Sequence, residues 1–95
     1  MSPPTTRNVS LQLQENEDNR RVIEAIRADN PDVAVRHMPG LVELHSPTQI
    51  EVRRETVERL LGRPWETDEF QLALVSYAGN FSEWDEDRIL VKWQH

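Results

Sequence analysis

Two closely spaced turn signals, Pro39-Gly40 and Ser46-Pro47-Thr48, interrupt a run of alternating apolar and polar residues and restrict the fold more than anything else in the chain. Proline presets φ at the first corner position of a tight turn, and glycine supplies the positive φ that the second requires. With Pro39-Gly40 as the corner, Met38 faces Leu41, His37 faces Val42, Arg36 faces Glu43 and Val35 faces Leu44. With Ser46-Pro47-Thr48 as the next turn, Leu44 faces Ile50 and Val42 faces Val52. Both turns independently put Val33, Val35, Val42, Leu44, Ile50 and Val52 on one face, and Arg36, Glu43, Glu51 and Arg53 on the other. A one-residue slip would mix the two sets, so the pattern predicts a three-stranded meander of specified register.

The flanking segments complete the outline. Val9, Leu11 and Leu13 alternate with polar residues, the period of a half-buried strand. Asn16-Glu17-Asp18-Asn19 offers helix caps with acids at the positive end of the macrodipole, and Val22, Ile23 and Ile26 follow at helical spacing. Asn30-Pro31-Asp32 ends that helix. A second helix runs from Arg54 to Leu61, burying Val57, Leu60 and Leu61, with Gly62 as a left-handed C-cap and Pro64 preventing resumption. Thr67-Asp68-Glu69 caps one further turn. Gln71 to Tyr77 is apolar on nearly both faces, which predicts a central strand or one covered by a partner. Ala78-Gly79-Asn80 breaks it, and Ile89 to Trp93 is the last strand. Trp65 and Trp93 flank apolar runs and are expected in the core, whereas Trp84, between Glu83 and Asp85, is expected on the surface. The order β-α-β-β-β-α-(turn)-β-β is an α+β fold with a largely antiparallel sheet on two main helices. At 95 residues one small domain is expected over 8–95, preceded by a Pro/Ser/Thr-rich tail over 1–7 that is expected to be flexible.

Composition then removes function classes. Acids outnumber bases 17 to 11, a net charge of −6, which disfavours nucleic acid and suits a basic protein partner. The chain has no cysteine, so thiolate chemistry and disulfides are excluded. The start carries no apolar targeting core and no run approaches the roughly 20 apolar residues of a membrane span, so a cytoplasmic location without membrane contact is expected. The histidines are His37, His45 and His95; the register puts His37 and His45 on opposite strand faces, so they cannot share a metal. Asp85-Glu86-Asp87 lacks the glycine and trailing glutamate of a calcium loop. The only glycines are Gly40, Gly62 and Gly79, which form no phosphate-binding loop, and no serine sits in a nucleophile elbow. No catalytic, cofactor-binding or metal-binding residue is assigned, and no cofactor is expected.

Several short stretches carry more. Asn19-Arg20, Ile23-Glu24-Ala25-Ile26, Asp29-Asn30-Pro31 and Val35-Arg36-His37-Met38-Pro39 closely resemble the coupling proteins of bacterial phenol hydroxylases. So do Arg54-Glu55-Thr56, Leu61-Gly62-Arg63 with Trp65, Ser76 followed by Ala78-Gly79-Asn80, and Trp93. Effector proteins of toluene and soluble methane monooxygenases are more distantly similar, through Gly40, Ile50-Glu51-Val52, Leu60-Leu61-Gly62-Arg63, Phe70, Ser76 and Gly79. The resemblance spans about residues 8–93. Two departures stand out: only a few residues precede the first strand, so the long N-terminal arm of the methane type is not carried over, and Phe81-Ser82-Glu83-Trp84 stands where phenol-type relatives are uniformly acidic.

The resemblance implies a non-catalytic coupling component, itself no enzyme, of a multicomponent monooxygenase. It would dock on a di-iron hydroxylase and promote O2- and NADH-dependent hydroxylation of phenol or a related small aromatic or hydrocarbon. A reductase belongs to such a system, with direct contact left open. The resemblance also carries a contact segment over to Val75, Ser76 and Tyr77, with Gly79 and Asn80 beside them, Gly79 permitting close backbone approach. The apolar turn Met38-Pro39-Gly40-Leu41 is a second candidate contact. The alternative is a module that senses a small metabolite between sheet and helices.

Overall fold

The computed structural model describes residues 8–93. The expectation for the tail over 1–7 lies outside those residues, as does His95. The order of elements is β1 (Val9–Gln14), α1 (Glu17–Asp29), β2 (Ala34–Met38), β3 (Leu41–Ser46), β4 (Gln49–Arg53) and α2 (Arg54–Leu61). A 3-10 turn (Thr67–Glu69) and a one-turn helix α3 (Phe70–Ala73) follow, then β5 (Leu74–Ala78), β6 (Asn80–Trp84) and β7 (Arg88–Lys92). The α+β class agrees with the sequence reading, and so does the element order apart from one added strand, β6. The strands form two antiparallel sheets, ordered β2-β3-β1-β5 and β4-β7-β6.

The helix ends follow local chemistry. Asn16 caps α1, its Oδ1 accepting from the Asn19 amide at 2.8 Å, which satisfies a donor that the helix cannot. Asn30 closes α1 and holds it to β4: its side-chain amide donates to the Ile26 and Glu51 carbonyls at 2.6 and 2.7 Å, and its Oδ1 accepts from the Glu51 amide at 2.8 Å. Helix α2 ends at Gly62, where φ is 75° and the amide donates to the Glu58 carbonyl.

The first hairpin forms in the expected register, with Val35 opposite Leu44, Arg36 opposite Glu43 and Met38 opposite Leu41. The third strand does not join it. Strand β4 leaves at the Ser46-Pro47-Thr48 corner and pairs with β7, Ile50 opposite Val91 and Val52 opposite Ile89. The edge of β3 is taken by β1, which pairs Leu11 with Leu44 and Leu13 with Val42. Val42, Leu44, Ile50 and Val52 are nonetheless all buried, and Val33 and Val35 pack against the core. Alternation sets which face points inward; it leaves the neighbouring strand undetermined.

Three further expectations change. Residues 70–73 are helical, because Glu66 and Glu69 form a reciprocal capping box and Phe70 is fully buried. Strand β6, absent from the sequence reading, pairs with β7 through an irregularity between Phe81 and Glu83. The extra residue breaks the period of two, which is why the stretch did not read as a strand. Trp84 is not a surface residue: it packs against the core, its ring 5.0 Å from Phe81 and 6.3 Å from Phe70 between centroids. Trp65 is buried as expected, and Trp93 packs on the core with its Nε1 donating to the Asn8 carbonyl at 3.1 Å.

Candidate docking surface

Strand β5 is the edge of its sheet, hydrogen-bonded to β1 alone. The central-strand reading is therefore corrected: β5 is an edge strand with one side left open. Its free side carries unpaired backbone donors and acceptors, which a protein normally covers or blunts. Here it is dressed with apolar groups instead. Leu72, Val75 and Tyr77 are 83%, 49% and 54% exposed, and they are the large hydrophobic residues most open to solvent in the described chain. Three such residues within six positions form a patch rather than scattered exposure.

The local backbone explains the arrangement. Gln12 pairs with Ser76 and Leu13 with Leu74, so β5 carries one extra residue, Val75, at a bulge. A bulge re-aims the side chains beside it. Leu72 lies on the one-turn helix α3, where Phe70 takes the inward side and Leu72 faces outward. The sequence reading missed Leu72 by extending the strand over it; the capping pair Glu66 and Glu69 was the available signal. Behind the patch, Tyr77 meets Phe81 edge-on at 4.6 Å, which ties β5 to β6 of the second sheet.

The other predicted contact residues divide. Ser76 and Asn80 are exposed. Gly79 is half-buried, and its lack of a side chain has a reason within the chain itself. Its φ is +131°, and a Cβ there would stand 2.9 Å from Cγ1 of Val91 and 3.1 Å from Cγ1 of Val9. The missing side chain makes room for the chain's own two sheets where it crosses between them. At the Met38-Pro39-Gly40-Leu41 turn, Pro39 and Gly40 are exposed while Met38 and Leu41 are half-buried. Gly40 has φ +76° and its carbonyl accepts from the Glu15 amide at 3.0 Å.

These two groups sit on opposite edges of one sheet, roughly 14 Å apart at the usual strand spacing. A row of side chains crosses the outer face between them. The Ser76 hydroxyl donates to Gln12 Oε1 at 2.6 Å, and Gln12 Nε2 donates to Glu43 Oε2 at 3.0 Å. Glu43 Oε1 is 3.2 Å from Nη2 of Arg36, on the outermost strand.

Among the described residues, no three His, Cys, Asp or Glu side chains converge as a metal site would require. His37 pairs with Val42 and His45 with Ala34, which puts the two imidazoles on opposite faces. The inward strand residues Val9, Leu11, Leu13, Val42, Leu44, Ile50, Val52, Ile89 and Val91 are apolar and closely buried, so these strand faces offer a metabolite no polar group. No helix among the described residues is long and apolar enough to cross a membrane.

The profile of the MmoB/DmpM family matches residues 7–92. The stimulatory component DmpM of phenol 2-monooxygenase from Pseudomonas sp. (strain CF600) is 38% identical over 87 residues, covering 92% of this chain and 96% of that protein. Among solved structures, a chain of the phenol hydroxylase–regulatory protein complex superposes with a TM-score of 0.86 at 34% identity, covering 93% of this chain and all of that one. The soluble methane monooxygenase regulatory protein B shares the fold, with a TM-score of 0.74 at 21% identity over 99% of this chain and 70% of its own.

Proposed function

The chain belongs to the MmoB/DmpM family, and from that premise we propose that it is the non-catalytic coupling component of a phenol-hydroxylase-type di-iron monooxygenase. It docks on the hydroxylase and raises the yield of hydroxylated product from O2 and NADH. One observation carries the reading: an edge strand that exposes Val75 and Tyr77 beside Leu72, in a chain that superposes over nearly its whole length on one from a phenol hydroxylase–regulatory protein complex. An apolar, hydrogen-bond-competent edge is a surface for a protein. In this reading the reacting centre belongs to the partner.

Its physical role is population shift. A docked protein changes hydroxylase behaviour only by binding one conformation more tightly than another, and each tenfold preference supplies about 1.4 kcal/mol. Residues Val75, Ser76, Tyr77 and Asn80, joined by Leu72, form the main contact. The Met38-Pro39-Gly40-Leu41 turn forms the second, at the far edge of the same sheet. The setting is the cytoplasm, where NADH and a reductase are available.

The test is reconstitution. Hydroxylase and reductase are assayed with phenol and NADH, with and without the purified protein. Product per NADH consumed is expected to rise and to saturate with added protein. Unchanged yield at saturating protein would remove the proposal.

A further inference from the structure

The row of side chains across the outer sheet face has a direction, and it follows from one residue that can only accept. A carboxylate paired with a guanidinium offers no proton, so Glu43, held by Arg36 at 3.2 Å, requires a donor from Gln12. That sets the amide: Gln12 Nε2 faces Glu43 Oε2 at 3.0 Å, and Oε1 is left facing Ser76. The opposite flip would put a carbonyl oxygen against a carboxylate oxygen, two acceptors in contact. With Gln12 Oε1 as its neighbour at 2.6 Å, the Ser76 hydroxyl must donate inward. Its single proton is then used, and only lone pairs face outward. The row spans β2, β3, β1 and β5, joining residues up to 64 positions apart.

We infer that Gln12 is a positioning residue which, oriented by the Arg36–Glu43 pair, turns the Ser76 hydroxyl into a pure acceptor on the docking strand, so that the partner group meeting Ser76 is a hydrogen-bond donor. A lysine or arginine side chain suits this point best, given the net charge of −6. The inference rests on the docking role proposed above and adds the chemistry of the contact. It also gives Gln12, Glu43 and Arg36 a part in recognition without direct contact with the partner.

Reversing the polarity of the row while keeping its ion pair tests this. In the double variant Arg36→Glu with Glu43→Lys, the pair and the net charge persist. The lysine, however, donates to Gln12 Oε1, which turns Nε2 toward Ser76 and points the hydroxyl proton outward. Affinity for the hydroxylase is measured by titration for wild type, the charge-swapped variant, Ser76→Ala and their combination, with melting curves for each. The swap is expected to melt like wild type yet bind about tenfold more weakly, the scale of one hydrogen bond to a charged group. Ser76→Ala should bind as weakly as the swap, and the combination no more weakly than either. Wild-type affinity in the swapped variant, or additive losses in the combination, would overturn the inference.

A second arm uses the free protein alone, so failure of the docking role cannot be confused with failure of the row. Side-chain amide exchange is followed by NMR for Gln12, with the exposed Gln14 and Gln71 as internal references. Gln12 should exchange more slowly than both in wild type and match them in Glu43→Ala. Equal exchange in wild type would show that the row does not orient Gln12 in solution. A hydroxylase that fails to bind even the unaltered protein would overturn the proposed function, and with it the partner chemistry assigned to Ser76.

Discussion

A Cβ built on Gly79 would stand 2.9 Å from Cγ1 of Val91, inside the distance at which two carbon atoms can coexist. Val91 is fully buried and β-branched, and Val9 waits at 3.1 Å on the other side, so neither can turn away cheaply. The backbone adds a second obstacle, since φ at Gly79 is +131°, which other residues rarely adopt. Gly79→Ala is therefore expected to destabilise the protein by about 2–4 kcal/mol, combining strain and overpacking. For a domain of this size that lowers the melting temperature by roughly 10–20 °C. A melting curve indistinguishable from wild type would show that the crossing between sheets can relax.

Docking and folding separate at Ser76 on β5 and Asn80 at the start of β6. Ser76→Trp and Asn80→Ala are expected to weaken hydroxylase binding while leaving the fold intact, since both positions are open to solvent. A central contact of this kind typically contributes about 2 kcal/mol, a loss of roughly thirtyfold in affinity. Arg21→Ala on the polar side of α1, where Arg21 pairs loosely with Glu24 at 3.5 Å, is the control and should change little. Unaltered affinity in both segment variants would place the interface elsewhere.

Leu72 makes a sharper separation. At 83% exposure its side chain contributes almost nothing to the core, so Leu72→Ser should shift stability by less than about 0.5 kcal/mol. If the patch docks, the same change lowers affinity for the hydroxylase and coupling of NADH to product. Loss of stability without loss of binding would be the reverse of what the structure implies.

The hairpin between β6 and β7 is held by Asp85. Its Oδ1 accepts from the amides of Asp87 and Arg88 at 2.8 and 2.9 Å. Those two bonds, assisted by the Arg88 guanidinium, hold the carboxyl below its ordinary 3.8. A carboxylate depressed on folding stabilises the protein above its unfolded pKa, and that gain is lost as pH falls through the folded value. Asp85→Asn keeps an acceptor but loses the charge. The variant should unfold at lower urea than wild type at pH above the ordinary carboxylate range, and the gap should close as pH falls through and below that range. A gap independent of pH would mean that the charge is not what the two amides recognise.

Much of this fold is legible in the chain because its determinants are local. Asn16 as a cap, Gly62 as a left-handed terminus and the Arg54–Leu61 helix all stand where the sequence places them. The hairpin register is right down to the Arg36–Glu43 pair, because Pro39-Gly40 leaves one way to close the turn. Strand β6 was missed because its extra residue hides the alternation, and α3 because a four-residue helix shows less than one full period. Of the candidate contacts, Ser76 and Tyr77 were recognisable as part of an apolar run, whereas Gln12 looked like any polar residue on the wet side of a strand.

The residues by themselves determined which side of β1 to β4 and of α1 and α2 faces inward, where those two helices begin and end, and the family resemblance. Turn geometry, capping and period-two alternation act over a few positions and need no distant partner. Only the tertiary structure decided which strands became neighbours. Strands β1 and β4 present the same inward alternation to the free edge of β3, and β1 took it, sending β4 to a second sheet with β7. That choice made β5 an edge and brought Gln12 against Ser76, because strand pairing is settled by competition among segments of equal pattern for one set of backbone hydrogen bonds.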